Sequence, residues 1–177
     1  MKKENGHKVR RLAAVMPAIV WMVVIFMFSA NDGDKSTMQS DKVSYMVAAA
    51  FDRALGLGMT SLTYIVRKTA HFTEYLILGC LLYLAVRANL TLKTKMVWKK
   101  LNFTYIIPAA MVFIYACSDE LHQYFVPGRC SSFKDVMIDT AGGVTGLLII
   151  ALVRYIHGRI AYNKANNSVR RADNENM

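Results

Sequence analysis

The sequence predicts an all-α fold, a four-helix transmembrane bundle with a short amphipathic helix in the first outer loop. Three observations lead there. Of 177 residues, 54% are apolar and only 19% are charged, below the roughly 25% charged share of soluble domains. The apolar residues gather in four long runs, each close to the roughly 20 residues that cross a bilayer as a helix. The 22 Lys and Arg, against 12 Asp and Glu, concentrate beside alternate runs. So much apolar surface excludes a disordered chain, and three cysteines are too few for a disulfide scaffold. A net charge of +10 would allow a soluble nucleic-acid binder. The placement of the charges excludes one, and no nucleic-acid partner is expected.

The first run, residues 12–30, has no charge and follows five basic residues, Lys2, Lys3, Lys8, Arg10 and Arg11. It exceeds the roughly 7–15 residues of a signal-peptide core and reads as a retained first helix, eased or kinked by Pro17. The second run, 69–86, carries His71 and Glu74. The third, 101–117, runs straight into Ser118-Asp119-Glu120-Leu121-His122-Gln123, and the fourth, 135–153, begins with Asp135 and Asp139. In the first loop, Val43, Met46, Val47, Ala50, Phe51, Ala54 and Leu55 repeat at helical spacing. They predict a short helix that lies on the membrane surface or across the mouth of the bundle.

Lys and Arg mark the cytoplasmic side. Five occur in the N-terminus, five in 87–100 and five after 153, against five in 31–68 and two in 118–134. The expected protein is therefore a multi-pass protein of the cell membrane with both termini cytoplasmic. Its expected parts are a basic N-terminus (1–11), a membrane domain (12–155) and a cytoplasmic polar tail (156–177), disordered from Asn163 onward.

This topology gathers the unusual polar residues at the outer face. His71 and Glu74 open the second span, Asp119, Glu120, His122 and Gln123 follow the third, and Asp135 and Asp139 open the fourth. Lys68 is an interfacial anchor beside His71 and Tyr75 on one helix face. At about 1.5 Å per residue, Glu74 and Asp139 lie one to two turns deep, where a small water-filled cavity opening outward would hold them. His71 and Glu74, Glu120 and Gln123, and Ser118 and His122 are pairs at helical spacing. Pro127-Gly128 makes a turn that presents Arg129, either as a clamp for a carboxylate or phosphate or as the partner of Asp135 or Asp139.

Ionisable groups inside a membrane are functional candidates by default, a reading that favours Glu74 and Asp139; Asp119 and Asp135 read as structural or solvated. Gly142-x-x-x-Gly146 continues the Asp135–Asp139 face and invites close approach of another helix, in this chain or a second copy. His71, Glu120 and His122 lack a two-histidine motif at standard spacing, so no metal or other cofactor is expected. Cys80 and Cys117 lie in spans and Cys130 in the outer loop, so no internal disulfide is expected.

These residues resemble a known family. Arg67-Lys68-x-x-His71-Phe72-x-Glu74-Tyr75-x-x-Leu78-Gly79, the segment from Ser118 to Arg129, and Asp135-Val136-x-x-Asp139-Thr140-x-Gly142 resemble the three blocks of VanZ-like membrane proteins. Phe28-Ser29 with Ser36 and Ser40 also fits, and the likeness spans about residues 12–155. Asp139 departs from it, since the family usually has Asn there. The resemblance implies an envelope role, including low-level resistance to the glycopeptide teicoplanin.

Two functions are compatible with the residues. One is a binder whose site, formed by Lys68, His71, Glu74, Asp119, Glu120, His122, Gln123, Arg129, Asp135 and Asp139, receives a membrane lipid, a lipid-linked wall precursor or a glycopeptide. The other is an intramembrane hydrolase or transferase, with catalytic candidates Glu74, Glu120, His71 and His122 in acid–base roles.

Overall fold

The computed structural model describes residues 2–30, 59–90, 97–129 and 131–175. Among them are four helices and no strand: α1 (Lys2–Ser29), α2 (Met59–Asn89), α3 (Val97–Tyr124) and α4 (Phe133–Glu175). The amphipathic helix expected at 43–55 and Cys130 lie outside the described residues. Cys80 and Cys117 are free thiols.

Contacts between the helices set their directions. The Trp21 indole N–H donates to the Glu74 carbonyl at 2.8 Å, and the Asn89 amide donates to the Arg11 carbonyl at 3.4 Å, so α1 and α2 are antiparallel. Tyr83 packs on Tyr105 and Tyr75 on Tyr115, which makes α3 antiparallel to α2. α2 and α4 run parallel and make the most extensive contact of the bundle. One end therefore collects the C-termini of α1 and α3 with the N-terminal parts of α2 and α4.

The α2–α4 contact is a backbone contact. A Cβ on Gly142 would lie 2.3 Å from the Phe72 carbonyl oxygen, one on Gly146 2.3 Å from that of Leu76, and one on Gly79 2.3 Å from that of Gly143. Without a hydrophobic force between helices in lipid, small residues gain packing by letting backbones meet. The close approach expected at Gly142 and Gly146 is thus made within the chain. In this chain α2 occupies that face of α4.

The bundle is apolar on the outside and polar at one point within. Val20, Val23, Met27, Ile114, Leu148 and Leu152 are exposed, whereas Asp119, Glu120 and Asp139 are buried. Soluble monomers do not show apolar surface on that scale. α1 (Arg11–Ser29), α2 (Tyr64–Asn89) and α4 (Phe133–Ser168) each contain a stretch long and apolar enough to cross a membrane. Among the described residues α3 has none, so composition supports three of the four expected crossings.

The tail is a second correction. α4 runs 43 residues to Glu175, about 64 Å at 1.5 Å per residue, so the segment after Asn163 is helical rather than disordered. It contains no Pro and no Gly after Gly158, and Ala, Arg and Lys favour helix there.

Gly142 and Gly158 offer a matched test of the packing. Gly142→Ala forces a Cβ onto backbone and should destabilise the protein by about 1–3 kcal/mol or more. Gly158→Ala meets nothing within 4 Å and should stabilise the helix by up to about 1 kcal/mol. Unfolding of both variants in detergent, followed by circular dichroism, checks the contrast.

Candidate functional site

The local fold of the α3–α4 connection sets the site. Val126, Pro127, Gly128 and Arg129 form a tight turn closed by the Arg129 N–H on the Val126 carbonyl at 3.2 Å. Gly128 has φ 73°, the left-handed value that a type II turn needs at its third position, with Pro favoured before it. The turn delivers the Arg129 guanidinium to the Gln123 side-chain oxygen at 3.0 Å and to the Phe28 carbonyl at 3.3 Å. A cation there meets the last orphan carbonyls of α1. Burial and the nearby Arg67 charge pull the Arg129 pKa below its ordinary value, against the pull of Asp119, Glu120 and Glu74. A guanidinium stays charged under such pressure.

The next residues cap α4. The Ser132 hydroxyl accepts the Lys134 N–H at 3.2 Å, a standard N-cap arrangement. The Ser132 N–H itself donates to Glu120 Oε2 at 2.9 Å. Glu120, on α3, thereby holds the start of α4, which fixes the height of Asp135 and Asp139 on the following turns.

Three helices then converge. Lys68 of α2 pairs with Asp135 of α4 and also lies 5.4 Å from the centre of the Tyr64 ring. One turn deeper, His71 Nδ1 lies 3.9 Å from Asp139 Oδ1. Beside them the Tyr75 hydroxyl donates to Asp119 Oδ2 at 3.2 Å, and the Gln123 amide donates to the same oxygen at 3.1 Å. The Gln123 amide also reaches the Ser29 hydroxyl at 3.4 Å. A chain of polar contacts therefore runs from α1 through Gln123 to Asp119 and Tyr75. Asp139 Oδ1 and Oδ2, Asp119 Oδ1, Glu120 Oε1 and His122 Nε2 are buried without a hydrogen-bond partner.

The expected site residues thus gather at one end, as the topology requires, but several pairings differ. Arg129 meets Gln123 and the Phe28 carbonyl, and Lys68 takes Asp135. Lys68 is an ion-pair partner as well as an anchor. His71 faces Asp139 across the α2–α4 contact instead of pairing with Glu74 on its own helix. Gln123 joins Asp119, one turn back, and not Glu120. The Ser118 hydroxyl donates to the Tyr115 carbonyl at 2.8 Å and turns away from His122, whose ring stacks on Phe26 at 4.3 Å between centroids. Asp119, expected to be structural or solvated, is 3% exposed.

A cleft of about 190 Å³ lies at the other end of the bundle, lined by Val15, Ala18, Ile19, Leu82, Val86 and Met111. It is an apolar groove between α1, α2 and α3. At the polar end Asp139 is fully buried.

Sequence spacing missed the cross-helix set of His71, Asp119 and Asp139, whose ligating atoms lie within 4.8 Å of one another. Each comes from a different helix, so no single-helix motif reports them. The signal present in the sequence was the Gly142-x-x-x-Gly146 pattern, which brings α4 against α2.

Comparison with curated proteins found no match, and comparison with solved structures likewise found none. The sequence profile of the family described as VanZ/LLP1 matches residues 14–154. That stretch contains most of the apolar part of α1, all of α2 and α3, the first half of α4 and every residue of the polar cluster. The chain is a membrane protein and belongs to the VanZ/LLP1 family.

Proposed function

We propose that the protein is a multi-pass protein of the cytoplasmic membrane, both termini cytoplasmic, whose polar cluster receives a lipid-linked envelope molecule in the outer leaflet. One observation carries this reading: the buried acids, His71 and Arg129 share the bundle end opposite the basic N-terminus. Exposed Tyr64, Tyr124, Phe125 and Phe133 surround that end, a composition typical of the membrane–water interface. Arg129 and Lys134, near the start of α4, supply positive charge for a phosphate. An apolar outer wall accommodates the lipid tail. Through such binding the protein contributes to protection against lipid-anchoring glycopeptides such as teicoplanin, in keeping with the family it belongs to.

A second reading, an intramembrane hydrolase or transferase, draws on the unpartnered Glu120 Oε1 and His122 Nε2, with His71 as a further acid or base. A nucleophile needs a base within hydrogen-bond reach. Ser118 is turned to Tyr115, which weighs toward binding.

Two experiments test these readings. In a cysteine-free background, a cysteine placed at Ser131 should react with a membrane-impermeant maleimide on intact cells, and one placed at Thr94 should not; the reverse pattern would overturn the orientation. For binding, the protein is titrated in nanodiscs with a polyprenyl-phosphate-linked sugar. Arg129→Ala should weaken affinity by about tenfold, the equivalent of ~1.4 kcal/mol, and Glu120→Gln should weaken it less. Turnover of the lipid that Glu120→Gln abolishes, with binding intact, would establish the enzyme instead.

A further inference from the structure

Asp139 is the most costly residue in the bundle. It is 0% exposed, and neither of its carboxylate oxygens has a hydrogen-bond partner. Asp119 lies beside it, also buried, with Oδ1 unpartnered. Lys68, the nearest lysine on α2, is paired with Asp135. Two adjacent buried carboxylates are strongly unfavourable when both are ionised. His71 completes the set from the third helix, with Nδ1 toward Asp139.

We propose that His71, Asp119 and Asp139 form a binding site for one divalent first-row cation of the Zn²⁺ or Mn²⁺ type. The donor set is one imidazole nitrogen and two carboxylate oxygens, which suits those ions. Three protein ligands leave room for a further one from water or an anionic ligand. The ligating atoms fall within 4.8 Å of one another. Small side-chain adjustments bring them to the roughly 2.0–2.2 Å metal–ligand distances of such sites. Two carboxylates and a neutral imidazole match the charge of a divalent ion, and the buried charge is cancelled.

The surroundings fit this reading. Ligating carboxylates are themselves held by hydrogen bonds. Asp119 Oδ2 accepts from Tyr75 and Gln123, and Gln123 is in turn held by Arg129 and Ser29. These contacts leave Oδ1 without a hydrogen-bond partner. One ligand from each of α2, α3 and α4 would tie three helices together at the end where the polar cluster lies. The proposal stands independently of the lipid reading, because metal content is measured without lipid substrate.

The full-length protein is purified in detergent, stripped with EDTA and dialysed against Mn²⁺, Zn²⁺ or Co²⁺. Bound metal is counted by mass spectrometry, and the Co²⁺ complex is followed by its visible absorption. About one equivalent per chain is expected, with ligand-field bands typical of low-coordinate Co²⁺. Asp139→Asn and His71→Gln should each weaken binding by about 100-fold or more. Tyr75→Phe, which only orients Asp119, should weaken it by about tenfold. His157→Gln, on the exposed distal part of α4, should bind within about threefold of wild type. Gel filtration and circular dichroism establish that each variant is folded. Should Asp139→Asn not fold, His71→Gln and the gain in melting temperature of stripped wild type on adding metal decide the matter. Absence of stoichiometric metal in the wild type at millimolar concentrations, or equal binding by wild type and His71→Gln, would overturn the proposal.

Discussion

The meeting of two helix backbones governs this structure. α2 and α4 approach so closely at Gly79, Gly142 and Gly146 that a methyl group at any of them would overlap the backbone of the other helix. In lipid, where apolar side chains gain nothing by leaving the solvent for a neighbour, that intimacy is what packing can offer. It also sets the register of the two helices. With Gly142 on Phe72 and Gly146 on Leu76, Asp139 and Asp135 are brought level with His71 and Lys68, one turn nearer the end of the bundle. A polar cluster at that depth is a consequence of the glycine contact rather than a separate feature.

Around this pair the other helices take fixed roles. α3 brings Asp119 and Glu120 into the same end, and its Glu120 caps the start of α4 through Ser132. α1 is tied at both ends, by Trp21 to the Glu74 carbonyl and by the Arg11 carbonyl to Asn89. Arg129 closes the C-terminus of α1 from the turn that follows α3. The buried acids are thus held by a framework that spends several hydrogen bonds on orientation. The cost of burying ionisable groups in a membrane falls mainly on Asp139, which has none.

Much of the fold was legible in the sequence because apolar runs, basic flanks and the Gly142-x-x-x-Gly146 pattern are local signals. The helices were found in order, with the three apolar enough to cross a membrane among them. Their ends were not: α4 passes Asn163 without interruption because polar residues of good helix propensity do not announce a stop. Within the site, the gathering of His71, Asp119, Asp139 and Arg129 followed from topology, but their partners did not. Spacing along one helix suggested His71 with Glu74 and Glu120 with Gln123. The structure instead joins His71 to Asp139 and Gln123 to Asp119, the first across helices and the second one turn away. Partner choice across helices depends on rotation about each axis, which a single sequence encodes only through the packing it produces.

The central claim is that α2 and α4 set His71 and Asp139 face to face. Cysteines at both positions, in a chain with a protease site inserted in the 91–96 segment, test it in native membranes. A short bifunctional thiol reagent followed by cleavage should leave the two fragments joined on a denaturing gel, while a pair at positions 71 and 153 should separate. Fragments that separate in the first case, or stay joined only in the second, would contradict the account.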